Sequence, residues 1–255
     1  MSQSTVPSLF LIVFFIACSP STKKNQTMNV SEINAIQVTM STENKTETSA
    51  LYPELAQYVQ SLLPDMAAIP EDRKELLQEV ALFVREKKQA NEPANLTFIC
   101  THNSRRSHLS QIWAATAAAY YGLEEGIHTY SGGTETTAFN PRAVAAIERA
   151  GFRVNHTTGD NPHYMVSFSD QGQVIECFSK KYDDPFNASE NFAAIMTCSD
   201  ADKNCPFIPG ASLRLPIPYV DPKEADGTSE EAEVYDERTR QIATEMFYIM
   251  SRVNS

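Results

Sequence analysis

Cys100-Thr101-His102-Asn103-Ser104-Arg105-Arg106-Ser107 sets a thiol and a guanidinium at the two ends of a short polar run, a Cys-x5-Arg-Ser spacing. A loop of this kind, entered from a strand and left through a helix, turns its backbone N–H groups into one concavity, to which the helix dipole adds positive potential. Such a cradle suits a tetrahedral oxyanion. Arg106 is placed to grip that anion through two parallel hydrogen bonds, while the N–H groups of Thr101, His102, Asn103, Ser104 and Arg105 line the rest of it. The same field favours a thiolate over a thiol at Cys100, which makes it a candidate nucleophile. Ser107 is placed to orient that sulfur and Asn103 to brace the loop, with His102 and Arg105 shaping the rim.

The elements around the loop agree with this use. Leu96 to Ile99 is a short β-rich run of the kind found in buried parallel strands, and Cys100 stands at its carboxyl end. Ser107 to Tyr121 reads as a helix closed by Gly122, and Ile127 to Tyr130 as a second strand. Asn140-Pro141 opens a second helix that Gly151 ends. Phe192 to Thr197 and Leu213 to Pro216 are further strands, and Glu230 to Val253 is a long final helix with Tyr235, Ile242, Met246, Ile249 and Val253 on one face. The alternation predicts an α/β fold: a small parallel four-stranded sheet with helices on both faces. Tyr164 to Phe168 and Val174 to Phe178 flank Gly172 as an inserted β-hairpin. Ahead of the sheet, Pro53 to Leu63 and Pro70 to Lys88 form a helical hairpin, the second helix turning Leu76, Val80, Phe83 and Val84 inward.

A second pair of thiols sits elsewhere, in Thr197-Cys198-Ser199-Asp200-Ala201-Asp202-Lys203-Asn204-Cys205-Pro206. Cys198-x6-Cys205 directly after a strand fits a static disulfide or half of a zinc site, although zinc sites favour closer spacing and nearby Cys or His partners. No metal or cofactor is expected. Cys177 has no motif around it and reads as a packed core residue.

The Cys-x5-Arg-Ser loop opening a parallel α/β domain resembles the low-molecular-weight protein tyrosine phosphatases and the arsenate reductases on the same fold. The likeness runs from Asn95 to Ser251, through Ser131-Gly132-Gly133-Thr134-Glu135 and Phe139-Asn140-Pro141-Arg142-Ala143. It implies that Asp221, in the Asp221-Pro222 pair, is a general acid. The Cys-Ser-Asp-Ala-Asp wording at Cys198 is similar to the thioredoxin-coupled arsenate reductases. That resemblance implies arsenate attack by Cys100, then Cys198, then Cys205, ending in a Cys198–Cys205 disulfide reduced by thioredoxin or another thiol. Lys223 stands where phosphotyrosine enzymes of this type carry an aromatic. Three activities therefore stay open: thiol-dependent arsenate reduction, hydrolysis of phosphomonoesters such as phosphotyrosine, and non-catalytic oxyanion binding or redox sensing.

The 255 residues carry 21 Lys and Arg against 32 Asp and Glu, a net charge of −11. That balance argues against a nucleic-acid or anionic-membrane binder, so any anion must sit in a local basic site. Val6 to Ala17 is apolar and ends before Cys18, resembling a bacterial lipoprotein signal over residues 1–17 with Cys18 as the lipidated residue. Residues 18–50 read as a disordered tether, 51–92 as the helical hairpin and 93–255 as the phosphatase-like domain. This organisation implies a protein held at the bacterial cell envelope by its lipid anchor alone. A start at Met28 or Met40 implies a cytoplasmic one.

Overall fold

The computed structural model describes residues 51–205 and 207–254. The signal, the tether and Cys18 lie outside the described residues. Within them the chain runs α1 (Pro53–Leu62), a 3-10 turn (Leu63–Ala68), α2 (Glu71–Gln89), β1 (Ala94–Cys100), α3 (Arg106–Tyr120), β2 (Ile127–Gly133) and α4 (Pro141–Arg149). It continues through β3 (Arg153–His156), β4 (Tyr164–Ser167), β5 (Ile175–Cys177), β6 (Phe192–Met196), α5 (Ser199–Asn204), β7 (Ala211–Pro216), a 3-10 turn (Pro222–Ala225) and α6 (Glu231–Ser251). None of these helices is long and apolar enough to cross a membrane.

The main sheet has the order β2-β1-β6-β7, and every pair in it is parallel. β1 is central, with Cys100 opposite Gly133 on one side and Ile99 opposite Met196 on the other. The period of two divides the side chains cleanly between faces. Leu96, Phe98, Ala193 and Ile195 face the large helical layer, where Trp113 is fully buried against Tyr58, Phe152 and Phe247. Ile99, Ala194 and Met196 face a smaller cluster closed by Ala201 of α5, Ile208 and Tyr182. The thiols Cys100 and Cys198 belong to this smaller cluster, and the partly buried Cys205 packs against it.

The amino-terminal helices share the large core. Leu55, Val59, Leu62, Leu77, Val80 and Val84 are all buried in the same cluster as Phe98 and Phe247. At about 1.5–3 kcal/mol for each apolar side chain removed from water, that face is integral to the core. Leu77, and not Leu76, occupies the inward position of α2, because Val80, Ala81 and Val84 then follow it at helical steps of three, four and seven. Gly151, at φ +106, lets α4 end against α1: an added Cβ would stand 2.5 Å from the Leu55 nitrogen.

Two parts go beyond the sequence expectation. The inserted hairpin, outside the main sheet, has a third strand: β4 and β5 pair with β3 in a separate antiparallel sheet of order β3-β4-β5. β3 escapes notice because Arg-Val-Asn-His carries one apolar residue and is largely exposed. The segment between the second pair of thiols is a short helix, with the Cys198 sulfur at its amino end accepting from the Ala201 N–H. The insertion rejoins the main sheet at the carboxyl end of β2: Gly133 N–H donates to the Lys180 carbonyl at 2.8 Å, and Tyr182 N–H to the Gly133 carbonyl at 3.0 Å.

Candidate active site

The loop 100–107 leaves the carboxyl end of the central strand, where parallel sheets of this order open a crevice. Four of its carbonyls are occupied by neighbouring segments. Cys100 O accepts from Thr134 N, Thr101 O from Glu135 N, and Ser104 O from Asn140 N. His102 O accepts from the hydroxyls of Thr137 and Ser179. With those acceptors occupied, the intervening amides and the free N–H groups of the first turn of α3 are the donors left for the concavity. The close wrapping requires Gly133, whose added Cβ would lie 2.3 Å from the Glu135 carbonyl and 2.7 Å from that of Thr101.

Asn103 is the brace. It sits at φ +44, in the left-handed region that Asn tolerates better than most side chains, and is fully buried. Its amide nitrogen donates to Ser107 Oγ at 2.9 Å, and its Oδ1 accepts from Lys180 N at 2.9 Å. Ser107 Oγ in turn lies 3.1 Å from Cys100 Sγ. Because the Ser107 oxygen already accepts from Asn103, its own proton is free to point at a Cys100 thiolate.

Arg106 is held differently from the sequence expectation. Nη1 donates to the Tyr219 carbonyl at 2.9 Å and Nη2 to Asp221 Oδ2 at 2.6 Å, while the buried Nε has no partner among the described residues. The fork thus faces the chain's own acceptors, a carboxylate being the strongest competitor for it. Asp221 also accepts from Lys223 N–H and lies 4.0 Å from Arg105 Nε. Arg105 reaches Tyr235 and Asp226, so both arginines tie the loop of Asp221 to the anion loop. Behind this contact, Tyr219 donates to Glu245, which α2 holds through a two-pronged ion pair with Arg73. His102 pairs with Glu135 at the exposed rim, 3.3 Å apart.

Cys198 stands beside the loop, its buried sulfur 3.4 Å from Thr101 Oγ1. Cys205 is half-buried at the far end of α5, and all four described cysteines are free thiols. Among the described residues no cluster of three His, Cys, Asp or Glu side chains could hold a metal ion. A cavity of about 590 Å3 lies between β2 and the inserted sheet, lined by Gln111, His128, Tyr130 and Glu176, and includes none of the thiols.

Several participants have no signal in the sequence motif. Ser179 and Lys180 come from the insertion, and Tyr219 and Glu245 from elements far along the chain. His108 follows the loop but is fully buried against Ser131 Oγ and the Phe139 ring; burial, then the nearby Lys180, holds its pKa well below the usual histidine value. It is a neutral core residue. Burial likewise pushes the Cys177 thiol up to about 12 and lowers the Lys180 amine from its ordinary value.

The low-molecular-weight phosphotyrosine protein phosphatase family model matches residues 95–163. An arsenate reductase of Bacillus licheniformis is 30% identical over 143 residues, 56% of this chain and 84% of that protein. Arsenate reductase 2 of Staphylococcus epidermidis is 31% identical over 126 residues, 49% of this chain and 76% of that one. The structure of a thioredoxin-dependent arsenate reductase of Corynebacterium glutamicum aligns with a TM-score of 0.34 at 20% identity, covering 84% of this chain and 94% of that one.

Proposed function

Because the chain belongs to the enzyme family of the arsenate reductases and low-molecular-weight phosphotyrosine phosphatases, we propose that it reduces arsenate to arsenite by a relay of three thiols. The observation that carries this reading is the gathering of Cys100, Cys198 and Cys205 about one small cluster at the carboxyl end of the sheet, with Cys198 against Thr101 of the anion loop. In the first step the loop amides and the unpartnered Nε–H of Arg106 hold arsenate while the Cys100 thiolate attacks arsenic, and an arsenic-bound oxygen leaves as water. The Cys198 thiolate then attacks the Cys100 sulfur. The sulfur–arsenic bond breaks with its electron pair on arsenic, which departs as arsenite, and a Cys100–Cys198 disulfide remains. Cys205 next attacks Cys198 and frees Cys100, and an external dithiol such as thioredoxin reduces the Cys198–Cys205 bond. Ser107 favours the thiolate in the first step and regains it as leaving group in the last.

One geometry favours a second activity at the same loop. The carboxyl of Asp221, hydrogen-bonded to Arg106 of the anion loop, would serve as acid and then base in hydrolysis of a phosphomonoester through a cysteinyl-phosphate. The two activities separate cleanly. Arsenate turnover with thioredoxin and its reductase should vanish in Cys100→Ser, Cys198→Ser and Cys205→Ser alike. Hydrolysis of a phosphomonoester should vanish in Cys100→Ser alone. Arsenate turnover that survives Cys198→Ser would remove the relay, and an absence of turnover in the unaltered protein would remove the reductase.

A further inference from the structure

The helix between the two relay cysteines is fastened at its far end by one side chain. Arg214, on β7, donates from Nε to the Cys205 carbonyl at 3.1 Å and from Nη2 to the Asp202 carbonyl at 2.7 Å and to Asp202 Oδ1 at 2.6 Å. β7 is an anchor because its backbone is paired along β6, from Phe192–Ala211 to Met196–Pro216. At its near end α5 is fixed by Cys198 itself, whose sulfur accepts from Ala201 N–H. Asp202 N–H and Cys205 N–H complete the helix by donating to Cys198 O and Ala201 O.

This closed arrangement conflicts with the last thiol exchange. Cys198 and Cys205 cap opposite ends of α5, and seven helical steps separate them by roughly 10 Å along the axis. A disulfide needs their Cα atoms within about 7 Å. The bond between these cysteines therefore forms only when α5 unwinds, and unwinding carries the carbonyls of Asp202 and Cys205 off the Arg214 guanidinium. The bonds are charge-assisted and come from a planar fork that contacts two carbonyls and a carboxylate together, which an ammonium does not reproduce.

From this, and resting on the relay reading, we infer that Arg214 is a positioning residue that latches the reduced form of the relay and sets how oxidising the Cys198–Cys205 disulfide is. With the latch in place the dithiol state is favoured, so the disulfide gives up its bond readily to an incoming dithiol. Without it, α5 unwinds at less cost and the disulfide is retained. Arg214 touches neither the sulfur atoms nor the anion loop in the contacts described. Its effect is on an equilibrium between two chain conformations.

The test is the reduction potential of Cys198–Cys205 in the full chain, equilibrated with reduced and oxidised dithiothreitol and read by acid quenching, alkylation and mass spectrometry. Arg214→Met is expected to favour the disulfide at least tenfold, a shift of about 30 mV toward more reducing potentials. Asp202→Asn should shift it in the same direction by less, since both carbonyls stay in place, and this variant serves if Arg214→Met fails to fold. Arg214→Lys should fall between Arg214→Met and the unaltered protein. An unchanged potential in Arg214→Met, or one moved the other way, overturns the latch while leaving the relay standing. If no Cys198–Cys205 disulfide forms in the unaltered protein at any dithiothreitol ratio, the relay and the latch fall together.

Discussion

Replacing Asn103 by Ala removes three separable contributions. The Lys180 N–H, buried beside a buried residue, loses its acceptor at 2.9 Å, and an unsatisfied buried donor costs about 1–3 kcal/mol. The bond to Ser107 Oγ is lost as well, about 1 kcal/mol net. Alanine must also adopt φ +44, a left-handed conformation that costs an ordinary L-residue about 1–2 kcal/mol. Together these place the destabilisation at about 3–6 kcal/mol, a large fraction of the 5–15 kcal/mol typical of a domain. Asn103→Gly removes both hydrogen bonds but not the backbone freedom, so it should be about 1 kcal/mol less destabilising than Asn103→Ala despite its greater unfolded-state entropy. Urea midpoints of the two variants, converted with a shared m-value, provide the measurement. Turnover should fall in both, because Ser107 loses the donor that directs its proton toward Cys100. An alanine variant within about 1 kcal/mol of the parent, or a glycine variant clearly worse than alanine, would refute the bracing role.

Three further expectations follow from buried polar groups. Arg73→Met should cost about 3–5 kcal/mol by leaving the Glu245 carboxylate buried with an unmatched charge, and adding Glu245→Gln should recover a good part of it; a double-mutant cycle that proves additive refutes the pairing. His108 takes up no proton in the folded state near its ordinary value of 6.5, whereas the unfolded chain does, so its contribution is complete above pH 6.5 and is lost as pH falls. The unfolding free energy should therefore decline by up to about 1.4 kcal/mol per pH unit below 6.5, and His108→Gln should flatten that slope. Cys177, raised to about 12 by burial, contributes stability that is complete below its ordinary value of 9.0 and fades as pH rises toward 12. At pH 8 an alkylating reagent should modify half-buried Cys205 well before Cys177, and early labelling of Cys177 would contradict its place in the core.

The parallel sheet was legible because its signals are local. Leu96 to Ile99, Gly122, Asn140-Pro141 and the face of the last helix each announce an element within a few residues. The anion loop was legible for the same reason, since strand end, loop and helix start are contiguous. What the sequence does not announce is who holds the loop. Arg106 meets the Tyr219 carbonyl and Asp221 across 113 and 115 residues, and Asn103 meets Lys180 across 77. No periodicity encodes such contacts. β3 and α5 have no such local signal: the first has almost no apolar alternation, and the second is a single polar stretch whose ends bond to a cysteine sulfur and to Arg214 of β7.

Those distant contacts give the chain's additions a physical role at the loop. On one side the insertion returns to the main sheet at Gly133 and there presents Ser179 to the His102 carbonyl and Lys180 to Asn103. On the other side the amino-terminal hairpin sends Arg73 to Glu245, which holds Tyr219, whose carbonyl holds Arg106. The loop between β1 and α3 carries a left-handed residue and four carbonyls held by other segments, neither of which it can stabilise alone. Its shape is therefore a property of the whole described fold, although its reactive groups lie within eight consecutive residues.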